Sequence, residues 1–249
     1  MTNEPATKGA VLVAEDETAI RESLTAVLQD EGYAVTSEAM MFAVNRHAEV
    51  AERMPRSHRD LLHLLEQNPA ALKGRIGIVD PVRNEVAFMG YSQDLIASVD
   101  STRLYQEIAR SNPRVYGSNR ALLNALAAGE IDLAYNILGS YPLNSNAPVV
   151  EGILPRDYLV TVSRIAFVAR NAPHPAAARV FLDFLLSTAG QRLLAAEHLG
   201  AVRPDVADRT FAGSQLRPVK VGPSLLADFD QMRRKRLLNE WSAAMAANS

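Results

Sequence analysis

Short apolar runs with β-branched residues alternate with longer stretches of helical periodicity along almost the whole chain, and this restricts the fold to α/β layers. Ala10 to Ala14 reads as a buried parallel strand, Thr18 to Asp30 as an amphipathic helix with Thr18 as N-cap, and Tyr33 to Thr36 as the next strand. Gly32 stands where a glycine stops a helix. Met41 to Asn45 is a short strand, and Ser57 caps a helix from His58 to Glu66. Gly74 to Pro81 is a strand closed by an Asp-Pro turn. A helix over Ser92 to Ser111 and a brief strand over Arg114 to Tyr116 follow, then a helix over Asn119 to Ala128 capped by Ser118 and ended by Gly129. Ile131 to Leu138 is a strand turning at Gly139-Ser140, and Tyr158 to Ala169 is a longer one. The last two helices are expected over Ala176 to Ala196 and Ser224 to Ala244.

Composition removes several function classes. With 249 residues the chain can bury a sizeable core. A formal net charge of −2 gives no electrostatic case for nucleic acid or acidic lipid. The absence of Cys excludes disulfides, thiolate metal sites and Cys nucleophiles. The five His show no HExxH or paired metal spacing, and neither a P-loop nor GxGxxG occurs. Gly90 to Asp94 lacks the second glycine of a nucleophile elbow and reads as a loop. Arg233 to Arg236 reads as the solvated basic face of a helix that packs through Leu237, Leu238 and Trp241. Nothing here argues for an enzyme. With no signal-like or membrane-spanning run, the expected location is the cytoplasm if Met1 is the true start.

Two segments carry candidate sites. Glu15 and Asp16 stand at the carboxyl end of the first strand, where a pair of carboxylates suits an oxygen-only Mg²⁺ site or simply a charged turn. Ser118 and Asn119 open a helix, whose free N–H groups and positive dipole end favour a carboxylate or phosphate. Asn136, Ser140 and Tyr141 lie at the end of the following strand, with Tyr135 an alternative contact. Capping by Ser118 and packing by Tyr141 satisfy the same pattern.

Val11-Leu-Val-Ala-Glu-Asp-Glu-Thr-Ala-Ile-Arg-Glu-Ser-Leu24, with Leu28-Gln-Asp-Glu-Gly-Tyr-Ala-Val35, resembles the start of a two-component response-regulator receiver domain. The resemblance implies Mg²⁺ binding by Glu15 and Asp16 beside a phosphorylated Asp, and a histidine kinase as partner. It ends near Glu38, with no counterpart of the phosphoacceptor strand, so the chain is not expected to carry phosphate itself. Three further segments resemble solute-binding components of ABC transporters, in the branch of iron(III)-binding and phosphoglycerate-regulatory proteins. They are Pro55 to Leu62 with Leu72 to Pro81, Leu126 to Tyr141, and Ala172 to Ser187 with Gly190-Gln191.

The resemblance implies periplasmic-binding-protein-like type II lobes, with an incomplete first lobe, preceded by a receiver-like β-α-β unit. The domains expected are 1–39 for that unit and 40–249 for the solute-binding body, whose missing half-lobe the β-α-β unit could partly complete. The function implied is non-enzymatic binding of a small organic anion at Ser118, Asn119, Asn136, Ser140 and Tyr141, beside a transporter component. Relatives with this function are periplasmic. Tyr141 is followed by Pro142 rather than by a second tyrosine, which disfavours ferric iron. The alternative is a signalling protein in which the receiver-like unit docks a kinase and the body senses a ligand. No cofactor is implied, apart from Mg²⁺ if the acidic pair is functional.

Overall fold

A computed structural model describes residues 33–169, 172–206, 211, 215–219 and 230–247. The first strand and helix expected from sequence, together with Glu15 and Asp16, lie outside the described residues. In chain order the elements are β1 (Tyr33–Asn45), a 3₁₀ turn (Glu49–Arg53), α1 (His58–Gln67), β2 (Ile76–Val79), α2 (Glu85–Ala97), α3 (Ser101–Arg110) and β3 (Arg114–Tyr116). There follow α4 (Asn119–Ala127), β4 (Leu133–Leu138), α5 (Ser140–Leu143), β5 (Val150–Ile153) and β6 (Leu159–Ala166). The last are α6 (Pro175–Leu186), α7 (Thr188–Ala196), β7 (Leu216–Pro218) and α8 (Gln231–Ala246). The α/β class expected from the alternation of strands and helices is what the chain adopts.

The chain divides into two compact units. The larger takes residues 39–160, 215–217 and 230–247 of the described chain, the smaller residues 33–38, 161–206, 211 and 218–219. In the larger unit β2 pairs in parallel with both β3 and β4, as right-handed crossovers through helices require. β1 lies antiparallel to β4 and to β5. From Ala39 to Val44 every residue of β1 is buried, because helices or loops cover both faces of this central strand. Phe42, Leu61, Leu65, Ile76, Leu104 and Tyr135 fill one side of the sheet, while Met41, Leu122, Leu126, Ile131 and Ile137 fill the other. Several helices begin at side-chain caps that satisfy otherwise free N–H groups: Ser57 Oγ accepts from Asp60 N, Asn84 Oδ1 from Ala87 N and Ser118 Oγ from Ala121 N.

His58 opens α1 as a buried residue rather than a surface one. Its ring stacks on Tyr158 at 3.9 Å, and Nδ1 meets Asp157 Oδ1 at 3.0 Å. Burial works to raise the Asp157 pKa, but the hydrogen bond and charge of His58 outweigh it and hold the carboxyl below its usual range.

In the smaller unit the first half of β1 is tied to distant chain. Ser37 forms an antiparallel bridge with Gly200, and Gln191 Nε2 donates to Val35 O at 2.8 Å. Glu38, fully buried, accepts from Arg164 Nη2 at 2.6 Å.

The structure differs from the sequence expectations at several points. Tyr33–Thr36 and Met41–Asn45 are one continuous strand, because Ser37 bridges Gly200, Met40 pairs with Leu138, and Glu38 to Met40 are buried. The helix expected over Ser92 to Ser111 is two: α2 starts at Glu85 behind its Asn84 cap, and the chain breaks at Ser98, whose ψ of 140° is extended. The helix expected over Ala176 to Ala196 likewise breaks at Ser187, extended at ψ 160°, which then caps α7. Gly90 to Asp94 is not a loop but the middle of α2. Gly139-Ser140 leads into the short α5 rather than a plain turn.

Candidate functional site

The densest polar cluster of the larger unit converges on Asp94, a fully buried residue of α2. Its Oδ2 accepts from the Tyr105 hydroxyl at 2.8 Å, the Tyr135 hydroxyl at 2.8 Å and Asn136 Nδ2 at 2.6 Å. Asn136 Nδ2 also reaches the Tyr105 hydroxyl at 3.1 Å. Three donors on one oxygen suit the carboxylate form, which only accepts. Oδ1 makes no hydrogen bond among the described residues. Burial first, and then the charge of Asp94, raise the pKa values of Tyr105 and Tyr135 well above that of a free phenol, so both remain O–H donors at neutral pH. Tyr158, whose hydroxyl lies 3.3 Å from Ser101 Oγ, is raised by the same two causes.

How Tyr135 and Asn136 can both reach one oxygen needs explanation, because successive residues of a strand point to opposite faces. The register supplies it. Met41 pairs with Ile137 and Ala43 with Ala134, so Phe42 alone stands opposite both Tyr135 and Asn136. This is a β-bulge in β4, and its second residue, Asn136, lies at φ 53°, in the left-handed region that Asn tolerates better than most residues. The bulge turns the Asn136 side chain toward the face that Tyr135 occupies.

Aromatic rings surround the cluster. Tyr105 meets Tyr91 edge-on at 4.7 Å, Tyr135 at 5.6 Å and Trp241 at 5.9 Å. Tyr91, Tyr105, Tyr135, Trp241 and Asn136 line a shallow open concavity of about 290 Å³, the open solvent at its mouth included, with Val79 and Pro81 from the carboxyl end of β2. All three donors to Asp94 are thus in its wall. Burial, together with the Glu240 charge, pushes the Tyr91 phenol up to about 12.

The five residues expected to touch solute gather around the carboxyl end of β4. Asn119 is buried, and its Oδ1 accepts from Leu138 N at 3.1 Å, pinning the start of α4 to the strand end. Ser118 is exposed and caps α4 through the 3.2 Å bond from Ala121 N. Ser140 and Tyr141, both half-buried, follow that strand end directly in α5. The Arg120 guanidinium sits over the Tyr141 ring at 5.3 Å, and Arg120 has no ion pair among the described residues. Asn136 is the member whose amide is turned away, to Asp94. Tyr135 is 1% exposed, so it shapes the wall rather than presenting a free hydroxyl.

Asp94, Tyr91, Tyr105 and Trp241 were not expected at a site. Asp94 was hidden because Gly90 suggested a break. In the helix Gly90 instead lets Met40 pack closely, since a Cβ there would stand 2.4 Å from the Met40 sulfur. The usable signal was Asn84, a good N-cap followed by helical residues. Among the described residues no group of three His, Asp or Glu could hold a metal ion.

A family model described as bacterial extracellular solute-binding protein matches residues 4–199. No match was found among curated proteins. Of solved structures, the chain is similar to the substrate-binding protein of an ABC transporter from Agrobacterium tumefaciens, at 33% identity and a TM-score of 0.78 over 86% of this chain. The chain spans 66% of that protein's length. Iron-bound HitA from Pseudomonas aeruginosa is similar at 18% identity and TM-score 0.57, over 86% of this chain and 69% of that one. So is the periplasmic binding protein AfuA from Actinobacillus pleuropneumoniae with fructose-6-phosphate bound, at 22% identity and TM-score 0.57, over 86% and 68% of the two chains. These last two likenesses are of fold, and a fold that holds iron in one and a sugar phosphate in the other does not select a solute.

Proposed function

Because the chain belongs to the family of bacterial extracellular solute-binding proteins, we propose that it binds a small organic anion noncovalently, for delivery to a transporter component of the ABC type. The observation that carries this reading is the meeting of the α4 start with the carboxyl end of β4. There the N–H groups at the helix start, the Ser118 hydroxyl and the Arg120 guanidinium, which has no ion pair among the described residues, stand beside Ser140 and Tyr141. A helix start of this kind attracts carboxylates and phosphates, and Arg adds a planar, doubly donating cation. Position supports it further, since ligands of open α/β sheets bind beyond the carboxyl ends of parallel strands.

Ferric iron is disfavoured on chemical grounds. Tyr141, the tyrosine of the solute site, is followed by Pro142 rather than by a second phenol that could join it as an oxygen ligand. For residues 1–39, the family match, which starts at residue 4, supports a segment that belongs to the solute-binding domain over one that stands apart from it. No helix among the described residues is long and apolar enough to cross a membrane.

The test is a thermal-shift panel of small carboxylates, phosphate esters and Fe(III), followed by calorimetric titration of whatever shifts the melt. At one hundred times its Kd a ligand stabilises by about 2.7 kcal/mol, or very roughly 5–10 °C for a chain of this size. One anion class is expected to shift the melt, with Arg120→Ala and Ser118→Ala weakening it. A cooperative melt that responds to Fe(III) and to no anion would overturn the reading.

A further inference from the structure

Asp94 presents an electrostatic problem that the anion site does not solve. It is a fully buried acid in a wall of aromatic rings, and no Lys, Arg or His among the described residues pairs with it. Arg234, the cation of α8 that packs over Phe88, is held by both oxygens of Glu85. Buried charges are ordinarily paired, because leaving water without a partner is expensive. Three neutral donors on Oδ2 solvate the carboxylate but do not cancel its charge, and Oδ1 has no hydrogen bond among the described residues.

The concavity in front of this carboxylate is polarised to match. Tyr105 and Tyr135 give their protons to Asp94, and the Tyr105 oxygen also accepts from Asn136 Nδ2, so what the two phenol oxygens have left is lone-pair capacity. Asn136 also gives its amide N–H to Asp94, which leaves its Oδ1 as an acceptor without a partner among the described residues. Tyr91 and Trp241 complete the wall with ring surface. The Asp94 cluster therefore offers acceptors with a negative charge behind them, and the donors in the wall are the Tyr91 hydroxyl and the Trp241 indole N–H, set among aromatic rings. That is a surface for a cation, and the ring quadrupoles add to the attraction.

We propose that this pocket receives a primary ammonium group of the solute, so that the bound molecule carries an ammonium as well as its anionic group. The proposal rests on the solute-binding reading above and narrows it to amino-bearing anions. A primary ammonium fits better than a quaternary one, because its three N–H donors meet the phenol oxygens and Asn136 Oδ1. The concavity is shallow and open on one side, so it receives the head group while the rest of the solute stays outside it. The bulge at Asn136 gains a purpose on this account, since an ordinary strand residue there would face away from the pocket.

Calorimetric titration of the full chain with ethyl phosphate, 2-aminoethyl phosphate and ethylammonium tests it. 2-Aminoethyl phosphate should bind at least tenfold more tightly than ethyl phosphate, and Asp94→Asn should bring that ratio close to one. Because Asp94→Asn could disturb folding, Tyr91→Leu, which keeps apolar bulk and removes the ring, serves as a second variant and should reduce the ratio severalfold. Equal binding of the two phosphates, or a ratio that survives Asp94→Asn in a folded protein, overturns the proposal. If ethylammonium binds in an Asp94-dependent way while ethyl phosphate does not bind at all, the ammonium site stands and the anion reading fails. If neither amine binds, the proposal fails whatever ethyl phosphate does.

Discussion

Removing one donor from Asp94 leaves its carboxylate less well solvated in a place water does not reach. A hydrogen bond to a charged group contributes on the order of 1.5–3 kcal/mol, and a buried acceptor deprived of its donor incurs a desolvation penalty. Tyr135→Phe deletes only a hydroxyl and retains the ring that stacks on Phe42 at 5.4 Å. It is therefore expected to destabilise by about 2 kcal/mol with little change in packing, measured as a lower denaturant midpoint at unchanged m-value. The same tyrosines dictate behaviour at high pH. Tyr91, Tyr105, Tyr135 and Tyr158 all have raised pKa values because burial favours the neutral phenol. Their contribution to stability is complete below the unfolded value near 10, and it is lost as pH rises from there through the folded value, about 12 for Tyr91. Alkaline unfolding should thus begin near pH 10, with phenolate absorbance at 295 nm from these residues appearing together with loss of ellipticity. Phenolate signal from all four preceding any loss of structure would contradict their burial.

At the scale of elements, the breaks between helices carry as much information as the helices. α6 and α7 join at Ser187, and the close fold-back puts Gly190 against the preceding turn. A Cβ at Gly190 would stand 2.0 Å from the Phe184 carbonyl oxygen, which is backbone and cannot swing aside. Gly190→Ala, mild in an ordinary helix, is expected to cost roughly 2–4 kcal/mol here through enforced backbone shifts. A melting temperature equal to wild type would show that the two helices can separate freely. This junction also explains what periodicity could and could not reveal. Ala176 to Ala196 reads as one helix because apolar spacing continues across Ser187, and the local mark, a serine whose hydroxyl caps Gly190 N, sits inside that continuous pattern. Caps behave differently: Ser57 and Ser118 were legible because a capping side chain acts on the backbone three residues away. The β4 bulge was not legible at all, because register depends on β1, some ninety residues upstream in the chain. Asn119 could be placed at a helix start and Asn136, Ser140 and Tyr141 at a strand end from sequence, but the turning of Asn136 toward Asp94 could not. Nor could Asp94 itself, whose neighbour Gly90 suggested a loop.

Across the whole molecule, β1 is the element on which both compact units depend. Its residues 39–45 are buried in the larger unit and pair with β4 and β5, whereas residues 33–38 belong to the smaller one. The smaller unit uses those six residues heavily. Gln191 holds Val35 O with its amide nitrogen while its oxygen accepts from Val202 N, so one buried side chain ties β1, α7 and the following segment together. Ser37 bridges Gly200, and Glu38 accepts from Arg164 Nη2. A chain that starts at residue 39 loses all three links but none of the pairing in the larger unit. Gln191 Nε2 would then keep only Leu185 O, half-exposed Arg164 would lose its carboxylate and Gly200 O its donor, a combined cost on the order of 1–3 kcal/mol that a unit of this size cannot easily absorb. The expected result is that such a truncation melts with a smaller calorimetric enthalpy than the full chain, while amide exchange stays slow at β2 and β4 and becomes fast over α6 and α7. Slow exchange retained over α7 would mean that the smaller unit holds together without β1. Fast exchange everywhere would mean that the larger unit, though its core closes around residues 39–160, cannot fold unless the smaller one is intact.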